Sequence, residues 1–186
     1  QAVALEHADY IHDIAYDYYG RRLATCGSDQ HIKIWSQTPE GAWVQQADFE
    51  AHMGPIWRVT WAHPEFGQLL ASCSFDHNVF IWEEQEGVDE KGNVVSRWHK
   101  RAQLGDARDA VNDTKFAPKH TGLKIAAGSA DGYVRVYEAT DSTSLTYWQF
   151  TVRAPRRFRG GGGGGAAPQY FHHSLPLPPP PPTCAG

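Results

Sequence analysis

A motif that recurs three times along the chain limits the folds that this sequence can adopt. Each copy runs from a small apolar residue to an Asp five positions later and to an aromatic residue six positions after that: Ala24–Trp35, Ala71–Trp82 and Ala126–Tyr137. The copies begin 47 and then 55 residues apart. A period of this size indicates a repeat architecture, in which neighbouring units bury each other's apolar faces.

Each copy contains short runs that favour β-strands. The first runs, IHDIAY, IWRVTW and VNDTKF, alternate or nearly alternate between apolar and polar residues and are rich in β-branched and aromatic side chains. A turn carrying Gly, a second strand, a tight turn at the repeated Asp and a third strand follow. Outermost strands are predicted at residues 43–49 and 147–152. The sequence therefore predicts an all-β, radially repeated fold of three four-stranded blades, at about residues 1–49, 50–104 and 105–152.

Residues 153–186 differ in composition from the repeats. This segment has 15 Gly or Pro among 34 residues, and it contains four Arg and no acidic residue. Such a composition cannot bury enough apolar surface to offset chain entropy, so we predict a disordered, low-complexity tail. A Pro-rich ligand at 176–182 and an RGG-like contact at 156–162 are weaker interpretations than translation beyond a misplaced exon boundary or a truncated gene model, because the break interrupts the repeated architecture and the tail resembles none of its segments.

The charge and cysteine content narrow the classes of function. Without the tail, residues 1–152 hold 13 basic and 21 acidic side chains, a net charge of −8. We therefore expect no direct nucleic-acid binding by the folded part. Cys26 and Cys73 lie in apolar runs, as buried free thiols do, which favours the cytosol or nucleus. No apolar run is long enough to span a bilayer, so no membrane insertion is expected.

Four polar residue types recur at matching positions of the first two copies: a His, a hydroxyl, an Asp and a Trp. Such groups persist in a protein interior only when they satisfy one another's hydrogen bonds, so one network per blade is predicted. In the third copy, Ala107 and Ala127 stand at two of the four positions, so that blade is expected to depend more on packing. The candidate network residues are His7, Thr25, Asp29, Trp35, His52, Ser72, Asp76, Trp82, Asp131 and Tyr137.

These residue types also occur in Ser–His–Asp hydrolases, but catalysis requires one convergent site, whereas this set recurs once per copy. We therefore favour a structural role. No zinc-protease, nucleophile-elbow or P-loop motif occurs, and we expect no enzyme activity, cofactor, metal or small-molecule ligand. The acidic run of Glu83, Glu84, Glu86, Asp89 and Glu90 is interpreted as a solvated loop between strands.

The repeats resemble the WD40 β-propeller family, whose blades carry a His, a hydroxyl, a turn Asp and a Trp at these positions. The segments HADYIHDIAYDYYGRRLATCGSD and GPIWRVTWAHPEFGQLLASCSFD are similar to the opening blades shared by Seh-type nucleoporins and their sister vesicle-coat subunits. The segment VNDTKFAPKHTGLKIAAGSADGYVRVYEA is similar to the Seh type in particular.

The resemblance covers about residues 1–150 and implies three blades of an open, six-bladed propeller. Family members are completed by strands from a larger helical nucleoporin, belong to the Y-shaped outer-ring complex of the nuclear pore, and support transport of mRNA and protein. The same type of protein serves a nutrient-signalling complex at the vacuole or lysosome. A vesicle-coat cage subunit and a substrate-recruiting WD40 adaptor remain alternatives. Three blades alone would expose two apolar faces, so we expect marginal stability.

Overall fold

The chain forms three four-stranded antiparallel sheets, as the repeats predict. The computed structural model describes residues 6–88, 92, 94–141 and 144–153. Two single-turn 3-10 helices, Pro64–Phe66 and Lys119–Thr121, are the only helices among them. The strands are β1 Ile11–Tyr16, β2 Arg22–Gly27, β3 His31–Gln37 and β4 Trp43–Glu50 in blade 1, β5 Ile56–Trp61, β6 Leu69–Ser74, β7 Val79–Val88 and β8 Val94–Leu104 in blade 2, and β9 Val111–Phe116, β10 Lys124–Ser129, β11 Val134–Ala139 and β12 Trp148–Arg153 in blade 3.

The all-β fold of partial propeller blades is confirmed. The three first strands have the limits read from the sequence, whereas β4 and β12 each end one residue later than predicted. Residues 154–186, which make up nearly all of the predicted tail, lie outside the described residues. The limits proposed for the tail and for each blade therefore stay predictions.

The turn between the second and third strands has the same shape in every blade. The residue after the repeated Asp adopts a left-handed backbone, with φ of 68° at Gln30, 70° at His77 and 83° at Gly132. The Asp side chain accepts a hydrogen bond from the backbone N–H two positions later, as at Asp76 and Asn78 (3.0 Å). This bond stabilises a conformation that residues other than Gly rarely adopt.

Neighbouring blades pack face to face through apolar clusters. The cluster between blades 1 and 2 joins small and branched residues of β2 and β3 to aromatic residues of β7. A second cluster joins the other face of blade 2 to blade 3. Burying these faces is the main favourable contribution to the fold. The fully buried residues that form the centres of the two clusters are Ala24, Cys26, Ile32, Ile34, Ile56 and Leu70 in the first and Ala71, Cys73, Ile81 and Ile125 in the second.

The innermost strands of adjacent blades are also linked by charge. Arg58 of β5 lies between Asp13 of β1 and Asp113 of β9, with its Nη1 3.3 Å from the Asp13 carboxylate and its Nε 3.6 Å from that of Asp113. Asp13 also accepts a hydrogen bond from the backbone N–H of Val59 (3.0 Å). Since the Arg58 side chain is 46% exposed, each of its ion pairs contributes at most about 1 kcal/mol.

The acidic run after the third strand of blade 2 does not form the solvated loop that the sequence suggested. Glu83, Glu84 and Glu86 lie within β7, which continues to Val88 and pairs with β8 along its whole length. The loop interpretation was therefore wrong for these three residues, because a cross-strand partner and a contact to blade 1 stabilise an extended conformation. Asp89 and Glu90 lie outside the described residues.

Candidate functional site

Four predicted residues of blade 1 form one connected chain of hydrogen bonds. His7 Nδ1 lies 2.7 Å from the carboxylate of Asp29, and His7 Nε2 lies 2.7 Å from the hydroxyl of Thr25. The indole N–H of Trp35 donates to the same hydroxyl (3.2 Å). Because a carboxylate can only accept, Nδ1 carries a proton, and Nε2 of a neutral ring accepts from Thr25. The imidazole, hydroxyl and indole groups of this network therefore each have a hydrogen-bond partner.

Blade 2 repeats this arrangement with Ser in place of Thr. His52 Nδ1 lies 2.9 Å from Asp76, and its Nε2 lies 2.7 Å from the Ser72 hydroxyl, which also accepts from the indole N–H of Trp82 (2.9 Å). The His52 ring stacks on Phe80 at 4.3 Å between centroids. The equivalent position in blade 1 is Lys33, which instead donates to the Glu6 carbonyl (2.8 Å). The hydrogen-bonded network is thus the same in both blades, whereas the residue at the position of Phe80 differs.

Burial of these groups decides what chemistry they can perform. Thr25 and Ser72 are fully buried, and the side chains of His7 and His52 are 1% and 0% exposed. A nucleophile must contact its substrate, and no substrate can reach these hydroxyls without unfolding the blade. The geometry therefore supports holding strands together and does not support acyl transfer.

The turn carboxylates are stabilised in their charged form. Burial would raise the pKa of Asp76, but hydrogen bonds from His52 and from the backbone N–H groups of Asn78 and Met53 outweigh it and hold the pKa at about 2. In Asp29, burial is likewise outweighed by His7 and by backbone donors, so its pKa is also lowered. A carboxylate that accepts several hydrogen bonds is stabilised in its ionised form, which explains both lowered pKa values.

This lowered pKa predicts a loss of stability in acid. Because the folded-state pKa of Asp76 lies below the ordinary value of 3.8, its contribution is complete above about pH 4 and is lost as the pH falls towards 2. Urea unfolding followed at several pH values should show a steeper fall in the wild type than in Asp76→Asn. Equal slopes for the two proteins would contradict the assignment.

Blade 3 replaces the missing His and hydroxyl with a different polar pair. Asp131 accepts two hydrogen bonds from Arg135, at 2.8 Å from Nη2 and 3.2 Å from Nη1, and one from the backbone N–H of Arg108 (2.9 Å). Arg135 also donates to Ser129, and it is only 5% exposed. The guanidinium holds the pKa of Asp131 well below its usual range. Blade 3 was expected to rely less on polar contacts, but Arg135 rebuilds a network around the same turn.

Tyr137 stands at the position of Trp35 and Trp82. It has no indole N–H, so it cannot make the hydrogen bond that these two residues donate in blades 1 and 2. It is 2% exposed and packs against blade 2. Burial, followed by the nearby charge of Asp106 and a hydrogen bond with it, raises the pKa of Tyr137. Of the predicted residues of this copy, the structure therefore places Asp131 in a polar cluster and Tyr137 mainly in the apolar interface.

Breaking the blade 3 pair should destabilise the chain. Asp131→Asn leaves the guanidinium of Arg135 buried without its carboxylate, and we expect a loss of about 2–3 kcal/mol in the free energy of unfolding, measured in urea. The double variant Asp131→Asn with Arg135→Met removes both charges and should recover part of that loss. If the single variant is as stable as the wild type, the pair is not a stabilising element.

The sequence did not reveal a contact between blades 1 and 2. Arg22 donates to both carboxylate oxygens of Glu84, at 2.8 Å for Nη2, and the hydroxyl of Ser96 donates to the same carboxylate. The Arg22 guanidinium also lies 5.3 Å from the ring centroid of Trp61 and 5.7 Å from that of Trp98. The Arg22 and Glu84 side chains are 19% and 13% exposed, so this pair is shielded from solvent. Arg22 of blade 1 and these four residues of blade 2 thus form a clamp that links one blade to the next.

Blade 1 leaves part of its second face exposed at β1, although Thr25 and Trp35 on the same face are buried. Ala15 and Ala24 pack towards blade 2, so the alternate residues of β1, Ile14 and Tyr16, project from the opposite face. They are 51% and 62% exposed, and the Tyr16 ring lies 6.1 Å from that of Trp43. These two side chains are therefore a candidate contact surface.

The thiols and possible metal ligands give no other candidate. Cys26 and Cys73 are free and fully buried, and burial raises the pKa of each thiol far above its usual range. They are therefore unreactive core residues. Among the described residues, no group of three or more His, Cys, Asp or Glu side chains is placed to bind a metal ion. In the same part of the chain, no helix is long and apolar enough to cross a membrane.

Comparisons with known proteins agree with this geometry. The family model for the WD domain, G-beta repeat, matches residues 2–36 and 43–83, the two blades with the complete His-containing network. Proteins named Nucleoporin SEH1 from Osmerus mordax, Danio rerio and Homo sapiens are each 52% identical over 149 residues, which is 80% of this chain. The chain spans 41% of the length of these curated relatives.

Proposed function

Because the chain belongs to the WD40 β-propeller family and to its Seh-type nucleoporins, we propose that it has a structural role in the nuclear pore. In this proposal it is a non-catalytic scaffold subunit of the outer ring. In that role it supports the transport of mRNA and protein between nucleus and cytoplasm. Its partners are other scaffold nucleoporins, above all a larger helical one. A second pool serves a nutrient-signalling complex in the cytoplasm or at the vacuole or lysosome surface.

The observation that carries this proposal is the exposed apolar pair of β1 in blade 1, Ile14 and Tyr16, together with the similarity to SEH1 proteins over 149 residues. A propeller blade normally buries both faces. Ile14 and Tyr16 form an apolar patch of the kind that strands of another chain would cover. In our proposal the helical partner contributes those strands, and blade 1 is where they pack.

The hydrogen-bonded networks have a structural role in this proposal. They fix the strands of each blade through groups that are buried and mutually satisfied, and buried polar groups of that kind favour one unique packing. A subunit of a large assembly needs a rigid surface, because ordering a flexible one would lower its affinity.

Affinity capture tests the proposed role. The tagged chain is incubated with cell extract, and the bound proteins are identified by mass spectrometry. We expect recovery of the large helical outer-ring nucleoporin with the wild type, and its loss with Ile14→Asp combined with Tyr16→Asp.

Val134→Asp is the matched control, because Val134 is also 51% exposed and lies on blade 3. This variant should retain the partner. Recovery of vesicle-coat cage subunits instead would assign the chain to the sister family. Capture by the wild type and the blade 1 variant alike would place the contact elsewhere.

A further inference from the structure

Blade 2 ends in an outer strand that differs from those of its neighbours. β8 has 11 residues, whereas β4 has eight and β12 has six. β8 is the last strand in its sheet, so its outer edge has no strand neighbour in the described part of the chain. A long free edge presents a row of unpaired backbone N–H and C=O groups, which is a template for another strand.

The charge of β8 is opposite to that of the domain around it. The strand carries Arg97, His99, Lys100 and Arg101 and no acidic residue, whereas residues 1–152 have a net charge of −8. By contrast, β4 carries two acidic residues, Asp48 and Glu50, and no basic one. The basic edge is therefore a feature of blade 2 and not of the repeat.

The side chains of β8 place positive charge on both sides of this edge. Lys100 pairs with Trp82 and lies on the side of blade 1, with its Nζ 4.3 Å from the ring centroid of Phe80. His99 lies one position along the strand and so projects to the other side. Arg97, His99 and Lys100 are exposed, and Arg101 is already engaged with Glu83 (2.6 Å).

From this placement we propose that the outer edge of β8 binds an extended acidic segment of a partner protein by strand addition. The backbone of the segment would extend the blade 2 sheet, and its acidic side chains would pair with Arg97, His99 and Lys100. Main-chain hydrogen bonds supply the affinity in this mode of recognition, and side chains supply the specificity. Opposite charges that face each other across neighbouring strands strengthen such pairing.

The same charges disfavour pairing of this edge with a second copy of itself. Two β8 strands side by side would bring like charges together, and charged edges protect natural sheets from aggregation in this way. If the charges served only to prevent aggregation, the β8 edge would bind no peptide. Our proposal requires that the edge bind an acidic segment. The two roles make different predictions for an acidic peptide.

The test uses the full chain and a short fluorescein-labelled peptide in which pairs of Glu are separated by single Val residues, so that an extended strand carries acid on both of its faces. Binding is measured by fluorescence anisotropy. We expect saturable binding that weakens as salt is added. Arg97→Glu combined with Lys100→Glu should weaken binding about tenfold, since each reversal costs about 0.5–1 kcal/mol. Lys119→Glu is the matched control, because Lys119 is exposed but lies outside β8, and it should bind as the wild type does.

Two modified peptides separate strand addition from simple charge attraction. A peptide with N-methyl groups at every second residue keeps its charge but loses backbone donors, and we expect it not to bind. A peptide with Lys in place of Glu should also fail. Slower amide hydrogen exchange over residues 94–104 with the acidic peptide would support the proposal.

Equal binding of the N-methylated peptide, or no binding of the acidic peptide at low salt, would overturn the proposal. This surface is separate from the blade 1 face and requires no pore component. Loss of nucleoporin capture by the blade 1 variant therefore says nothing about β8, and the two proposals fail independently.

Discussion

Replacing Trp82 with Ala should lower the free energy of unfolding by about 3–5 kcal/mol, the range for removing a large buried aromatic side chain. The Trp82 ring is 6% exposed and lies between blades 1 and 2, 5.0 Å from the ring of Phe49 across the interface. Its loss removes apolar packing between two blades and also leaves the Ser72 hydroxyl without its indole donor. Urea unfolding monitored by circular dichroism measures the change.

Trp82→Phe separates these two contributions. The Phe ring keeps much of the apolar contact but cannot donate a hydrogen bond, so we expect a smaller cost of about 1–2 kcal/mol. Tyr147→Ala serves as the surface control, because that side chain is 72% exposed, and it should change stability by less than about 0.5 kcal/mol. A Trp82→Ala variant as stable as this control would rule out the interface as a main source of stability.

The clamp between blades 1 and 2 should show a large coupling energy. Arg22→Ala and Glu84→Ala are each expected to cost about 2–3 kcal/mol, because each leaves one shielded charge unpaired. The double variant should cost less than the sum of the two, by about 1–2 kcal/mol. Burial would raise the pKa of Glu84, but hydrogen bonds from Arg22 and Ser96 lower it overall, consistent with a stabilised carboxylate.

The neighbouring pair of Arg101 and Glu83 provides the comparison for this cycle. Its side chains are 35% and 25% exposed, and both lie within blade 2. We expect a coupling energy below about 1 kcal/mol for that pair. Similar coupling in the two pairs would mean that burial between blades adds nothing to the clamp.

Most strands could be predicted because each has a local signal that repeats. The first strands alternate in polarity and end in an aromatic residue, and the repeated Asp marks the turn before the third strand. β8 lacks such a signal: its sequence VVSRWHKRAQL does not alternate, so no outermost strand was predicted for blade 2. The sequence pattern therefore also ends β7 too early and predicts a loop for its acidic residues, whereas the strand continues to Val88.

Among the polar contacts, those within one repeat could be predicted from the sequence, whereas those between repeats could not. His7, Thr25, Asp29 and Trp35 recur at fixed spacing in blade 2, so their grouping could be inferred from repetition, and the structure brings them within hydrogen-bond distance. The pairing of Arg22 with Glu84 joins residues 62 positions apart in different repeats. Nothing in the spacing of a single repeat predicts it, because it depends on how two blades face each other. The ion pair of Asp131 with Arg135 has a local signal, since the turn residue Asp131 lies only four positions before Arg135.

The alternating charges on the innermost strands have a consequence for how the repeats find their correct neighbours. The blades are similar enough in shape that one could pack in another's place, which is a known failure of repeat proteins. Asp13 of blade 1 and Asp113 of blade 3 both face Arg58 of blade 2. If blades 1 and 3 packed directly against each other, two carboxylates would meet without a cation. The sign of one residue per innermost strand therefore favours blade 2 as the neighbour of both blades 1 and 3, by at most about 1 kcal/mol for each pair.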